Sequence, residues 1–287
     1  MTPMPIASTL LALLAMKTEI TPPAMSIREI GPEVPVTGGT MTGVVVGDTK
    51  AELFVPDGYR PGLSTHIWIH FHTAAWFVVS EYQRAGFKVP ILVFNLGQGS
   101  STYAKPFVAN GSLQPFLSDA GHILGAGIDR VNITSFSAGY GAVRELIHDP
   151  AILSMIGKVV QSDSIYGSLD PGEPGSRRVL AEHVRAWKSL TDRALAGTST
   201  VVMTTSQITP ETYAGSWEVV SALVASYGMQ MEPAQPGSDA AADPRYPLLR
   251  VFDKAGWHVW SYAGDDAMAH MTHPRHLAEI LRQLGPG

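Results

Sequence analysis

Short apolar runs separated by stretches of helical periodicity recur along most of this chain, and that rhythm restricts its fold more than any other feature. Runs at 67–71, 91–95, 131–135, 159–161 and 201–203 have the length and apolar character of strands buried on both faces. Between them, 75–85, 139–148 and 178–196 carry helical patterns, and 113–124 forms a further connecting segment. Such alternation predicts an α/β fold with a mostly parallel central sheet and helices on both faces. Ahead of it, 42–46 and 51–55 read as two strands joined at Gly47-Asp48, an antiparallel hairpin. Beyond it come a helix near 217–227, a polar excursion at 232–247, a strand pattern over 248–262 and a last helix from about 274 to 284. No internal repeat is present. The domain is therefore expected to run as one unit over 38–287, with a small lid near 165–198. It follows a lead of residues 1–37 that carries Pro22, Pro23, Pro32 and Pro35.

Composition narrows the function classes. A net charge of -5 and a pI near 6.0, with no Lys/Arg-rich run, argue against nucleic acid as a partner. The chain has no cysteine, which removes disulfides, thiolate catalysis and Cys-bound zinc. The apolar run 6–16 has the length of a signal-peptide core, but no Lys or Arg precedes it and Ala15-Met16-Lys17 is a poor cleavage site. Export and cytoplasmic residence both stay open. No later stretch reaches the ~18 apolar residues of a membrane span, which predicts a soluble body.

The residues that carry chemistry sit after strand-like runs. Ser135-Phe136-Ser137-Ala138-Gly139 lies between the run Val131-Asn132-Ile133-Thr134 and a helical pattern holding Tyr140, Val143, Leu146 and Ile147. A sharp strand-to-helix turn needs small residues two positions either side of its centre, and Ser135 and Gly139 supply them. Such a turn exposes the Ser137 hydroxyl and aims the following N–H at an oxyanion. Taken alone, Ser137 would also suit a helix N-cap.

On this context and order, residues 40 to 285 resemble the α/β-hydrolase superfamily, in particular its secreted bacterial esterase-like members. The resemblance implies a Ser-acid-His triad, an acyl-enzyme intermediate in ester hydrolysis, and no cofactor. Ser135 stands where the family more often has glycine. His70-Phe71-His72-Thr73-Ala74-Ala75-Trp76 occupies the place of the family's His-Gly oxyanion motif, with Thr73 where glycine is usual. By that match Ala138 and Ala74 supply the oxyanion donors, and Ala75 or Trp76 compete with Ala74. The catalytic histidine is expected in a loop between the last strand and last helix, which points to His270, with His273 as runner-up ahead of Pro274. The acid is expected to be Asp163, at the end of the 159–161 run, with Glu211 as the alternative. The substrate implied is a small-molecule or carbohydrate-linked ester. Trp76, Tyr103, Phe107, Tyr166, Trp217 and Trp257 could line its pocket. Two other readings compete: a metal-dependent hydrolase built on His70 and His72, which share one face of a strand, and a hydrolase-shaped binding protein without activity.

Overall fold

A computed structural model describes residues 20–62, 64–172, 175–235, 237 and 243–286. The apolar run 6–16 lies outside the described residues. The strands are β1 (Gly39–Val46), β2 (Thr49–Pro56), β3 (Ser64–Phe71), β4 (Ile91–Phe94), β5 (Gly127–Phe136), β6 (Ile156–Ser162), β7 (Thr200–Thr205), β8 (Glu232–Pro233), β9 (Leu248–Lys254) and β10 (Trp257–Tyr262). They form one sheet in the order β1-β2-β4-β3-β5-β6-β7-β10-β9-β8. The central six, β4 to β10 in that order, are parallel, and the pairs β1/β2, β2/β4, β10/β9 and β9/β8 are antiparallel.

Alternation along each buried strand divides the core into two layers. Ile67, Ile69 and Phe71 of β3, Val159 of β6 and Val201 and Met203 of β7 face one layer. Trp68, Val160 and Val202 face the other. The first layer is covered by α2 (Ser100–Ala104), α3 (Gln114–Leu124), α4 (Tyr140–Leu146), α5 (Pro150–Met155), α6 (Ala181–Arg185), α7 (Lys188–Leu195) and α8 (Ser216–Ala225). The second is covered by α1 (Ala75–Arg84), α9 (Ala267–Arg275) and α10 (Leu277–Leu284). Helix α10 shows why such segments are helical: Leu277, Ala278, Ile280 and Leu281 fall on one side and are all buried.

Two elements differ from the sequence-based expectation. The pattern over 248–262 is a hairpin, because Ala255 takes a positive φ of 54° and Gly256 packs so closely that a Cβ would stand 2.3 Å from the Ser199 carbonyl oxygen. The stretch expected as a loop up to Thr272 is helical from Ala267, since the Asp266 side chain caps the Ala269 N–H at 2.6 Å. Pro274 falls inside α9, and a new helix starts at Leu277.

The lead from residue 20 lies against the second layer. Met25 is fully buried, the Tyr262 hydroxyl donates to the Pro23 carbonyl at 2.8 Å, and the Ser26 N–H donates to His276 Nε2 at 3.0 Å. Arg28 donates to the Arg275 carbonyl and pairs with Glu81. Glu81 has no exposed surface; besides Arg28 it accepts from Arg84 at 2.7 Å and from the Ala278 N–H at 3.2 Å. Removing that carboxylate takes the ion-pair partner from Arg28 and the acceptor from the Ala278 N–H, while Arg84 keeps Glu279. Glu81→Ala should therefore cost about 3 kcal/mol of stability, read as a lowered urea midpoint with an unchanged slope.

Candidate active site

Strand register brings the site together. Phe71 pairs with Ser135, Phe136 with Ser162, Ser162 with Thr204 and Thr205 with Ser261. The residues just past these ends, His72, Ser137, Asp163 and Ser206, consequently emerge side by side at the carboxyl edge of the sheet.

At the centre the chain leaves β5 at Phe136 and turns through residues 137–139 into α4, with Ser137 at φ 48°. A side chain in that region is strained and persists only where its surroundings fix it. They do so here: a Cβ on Gly139 would stand 2.3 Å from the Phe71 carbonyl oxygen. Ser164 donates to the Ser137 carbonyl at 2.9 Å and accepts from the buried Ser135 hydroxyl at 2.8 Å.

His270 donates from Nδ1 to Asp163 Oδ2 at 2.6 Å, and its ring packs on Phe136 with centroids 4.4 Å apart. Asp163 is fully buried at φ 44°, with its N–H on the Thr204 carbonyl at 2.9 Å. Its carboxylate also accepts from the Ser206 N–H at 3.0 Å, the Ser206 hydroxyl at 2.7 Å and the Ser216 hydroxyl. Burial alone would raise its pKa. The imidazoles of His273 and His270 and the hydrogen bonds from His270 and Ser216 outweigh burial and hold it well below the usual carboxylate range. An ionised Asp163 only accepts, so His270 carries a proton on Nδ1, and in the neutral ring it is Nε2 that is free to act as a base.

His70 is buried, and burial lowers its pKa to about 4, which keeps it neutral. Its Nε2 contacts the His72 carbonyl at 2.8 Å and so bears the proton; its Nδ1 must then accept from the Thr134 hydroxyl at 2.7 Å, which itself accepts from Tyr82 at 2.8 Å. This chain of donors grips a loop in which His72 and Thr73 have φ of 70° and 138°. The His72 N–H is engaged by the Phe94 carbonyl at 2.9 Å, whereas the N–H groups of Thr73 and Ala74 have no partner among the described residues. Both ring nitrogens of His70 are thus occupied, and no group of three His, Asp or Glu is gathered as a metal site among the described residues. The geometry does not make His70 and His72 a ligand pair.

Ser137, Ala138 and His270 share a cavity of about 670 Å³ with His72, Gln98, Ser100, Tyr140, Tyr166, Ser168, His183, Ile208 and Tyr213. Ala74 caps α1 and is not on its wall. His273 is buried with Nδ1 on the Thr204 hydroxyl at 2.8 Å, and Glu211 is exposed on the loop between β7 and α8. Of the aromatic candidates Tyr166 reaches the wall, whereas Tyr103, Phe107 and Trp257 are core. Sequence reasoning missed Ser206 and Ser216, whose partner Asp163 is 43 and 53 residues away in the chain. It also missed Arg177, which binds Glu218 with both Nε and Nη2 and donates to the Pro210 and Tyr213 carbonyls. That clamp fixes the segment after β6 onto the loop bearing Tyr213.

No family model matches this chain, and no curated protein matches its sequence. Solved structures do resemble it. A protein named FAE shares 10% identity over 93% of this chain and 95% of its own, with a TM-score of 0.50. Poly(aspartic acid) hydrolase-1 from Sphingomonas sp. KT-1 shares 12% over 84% and 97%, with a TM-score of 0.49. Carboxylesterase CesB from Bacillus subtilis shares 8% over 88% and 93%, with a TM-score of 0.45. At such identities the common property is the fold, and this chain has the α/β-hydrolase fold. Among the described residues no helix is long and apolar enough to cross a membrane.

Two buried histidines link this region to acid stability. Burial lowers the pKa of both His70 and His273 to about 4, below the unfolded value near 6.5. The unfolded chain therefore binds more protons between these values, so stability is complete above about pH 6.5 and is lost as the pH falls toward 4, by on the order of 3 kcal/mol per histidine. Urea midpoints should drop from pH 7 to pH 4.5, and His273→Gln should flatten part of that slope.

Proposed function

We propose that this protein is a serine hydrolase that cleaves carboxylic esters through an acyl-enzyme. The observation that carries the proposal is the His270–Asp163 hydrogen bond through Nδ1, on a ring that lines the cavity also holding Ser137. Esterases and hydrolases among proteins of the same fold agree with hydrolysis as the reaction class.

In this mechanism Ser137 Oγ attacks the ester carbonyl carbon while His270 Nε2 takes the hydroxyl proton. Negative charge on the carbonyl oxygen meets the Ala138 N–H, which lies on the cavity wall beside Ser137. The imidazolium formed is stabilised by Asp163, which stays ionised. Collapse of the intermediate expels the alcohol, which takes its proton from His270. Water, deprotonated by His270, then attacks the acyl-enzyme and frees the acid. The segment 165–198 acts as the lid of the site.

Ser137→Ala should abolish hydrolysis of p-nitrophenyl butanoate and labelling by a fluorophosphonate, with the thermal transition almost unchanged. A wild-type protein that takes no label would instead be an inert binding protein, and activity retained by Ser137→Ala would remove the serine from the chemistry.

His270→Ala should be about as damaging as Ser137→Ala because triad members act as a unit. His273→Ala should lower stability while sparing the rate of the folded fraction. Asp163→Asn should reduce kcat on the order of 10⁴-fold, and Glu211→Gln should change it little. Rates under saturating ester, corrected for the folded fraction, decide among these residues; a crippled Glu211→Gln would move the acid to Glu211.

A further inference from the structure

Strand order divides the wall of the cavity into two flanks. His72 follows β3, and Gln98 and Ser100 follow β4; both strands lie on one side of β5, which ends at Ser137. Tyr166 follows β6, and Ile208 and Tyr213 follow β7, on the other side. The first flank presents neutral polar groups; the second carries Tyr166, Ile208 and Tyr213 together with Ser168 and His183. His270, on α9 after β10, belongs to the second flank.

His72 is the most constrained group of the polar flank. Its ring stacks on Phe136, with centroids 5.7 Å apart and planes at 19°, and Nδ1 lies 2.8 Å from the Tyr103 hydroxyl. That hydroxyl also receives the Leu96 N–H at 3.1 Å and lies 3.0 Å from the Gly97 carbonyl oxygen. A phenol has one proton to give. Given to Gly97, with His72 Nδ1–H donating to the Tyr103 oxygen, it satisfies the phenol, the carbonyl and Nδ1 together. Burial, followed by the charge of His270, outweighs the opposing hydrogen bond to the Gly97 backbone, lowers the pKa of His72 and favours the neutral ring. His72 Nε2 is then an unprotonated acceptor. It has no partner among the described residues, on a ring that lines the cavity.

In the proposed reaction His270 protonates the leaving oxygen, so the alcohol departs on the flank of His270 and the acyl chain points to the opposite one. We infer that His72 Nε2 accepts a hydrogen bond from a hydroxyl on that acyl chain, which makes the site selective for esters of hydroxy acids. This rests on the serine-hydrolase reading of the same cavity. An acceptor built for a hydroxyl discriminates against its apolar isostere, because binding the isostere leaves the acceptor dry and unpaired.

The test compares kcat/KM for methyl 3-hydroxybutanoate and methyl 3-methylbutanoate, each divided by its rate with hydroxide. Wild type should favour the hydroxy ester by about tenfold or more, and His72→Phe, which keeps a ring on Phe136, should reduce the ratio to within about twofold. No preference in wild type, or a preference that survives His72→Phe, overturns the inference. Should His72→Phe fail to fold, Tyr103→Phe frees the tautomer and should lower the ratio as well; an unchanged ratio overturns it. Long-range ¹⁵N–¹H correlation on ¹⁵N-histidine protein at neutral pH gives a readout apart from activity. A proton on His72 Nδ1 supports the inference, and a proton on Nε2 overturns it. Cleavage of p-nitrophenyl butanoate without the preference would sink this inference alone, whereas cleavage of no ester would sink the hydrolase reading beneath it.

Discussion

A carboxylate sealed from solvent has to be matched by donors, and the way Asp163 is matched organises one half of this protein. Its oxygens receive the Ser206 N–H and hydroxyl from the end of β7, the Ser216 hydroxyl from the start of α8 and His270 from α9. Three elements distant in sequence are thus tied to the end of β6. Loss of any one donor would leave a buried charge short of partners, a situation that costs far more than the bond itself contributes. The positive φ at Asp163 belongs to the same arrangement, since the turn that sinks the carboxylate also places its N–H on Thr204.

On the other side of Ser137 the binding element is a run of hydrogen bonds with one allowed direction. Tyr82 gives to Thr134, Thr134 to His70 and His70 to the His72 carbonyl. Its terminal acceptor belongs to a residue in the left-handed region, so a chain anchored in helix α1 and strand β5 pins the strained loop beside the nucleophile. Thr73 is held at φ 138° by the same grip. Protonation of His70 would turn its Nδ1 into a donor facing Thr134 and break the sequence of bonds in the middle.

How far this was legible in the sequence depends on the range of the deciding interaction. Apolar alternation is a local signal, and it was enough to give the strands and the mostly parallel sheet. The small residues around Ser137 are local as well, since the tightness of the turn is set within five positions. The boundary of α9 was misread because Gly264, Asp265 and Asp266 look like loop, while the Asp266 side chain acts as a helix cap. The 248–262 pattern reads as continuous because both halves are apolar, and only the approach of Gly256 to Ser199 shows why the chain reverses there. Ser206 and Ser216 could not be assigned from sequence: their partner is 43 and 53 residues away, and nothing about an isolated serine announces it. The wall of the cavity has the same character. Tyr166 and Tyr213 face it because β6 and β7 end in register, a property of the sheet rather than of either loop.

The N-terminal lead was expected to precede the domain, but it braces the helix that carries His270. Ser26 and Arg28 bond to His276 and to the Arg275 carbonyl, Pro23 receives the Tyr262 hydroxyl, and Asp243 donates to the Met25 carbonyl. These contacts draw a boundary for anything that shortens or extends the chain at this end. A protease cut or a fusion joint after Arg28 would release α9 from its brace, so on that side the reach of tolerated processing is set by the seat of an imidazole more than 240 residues away.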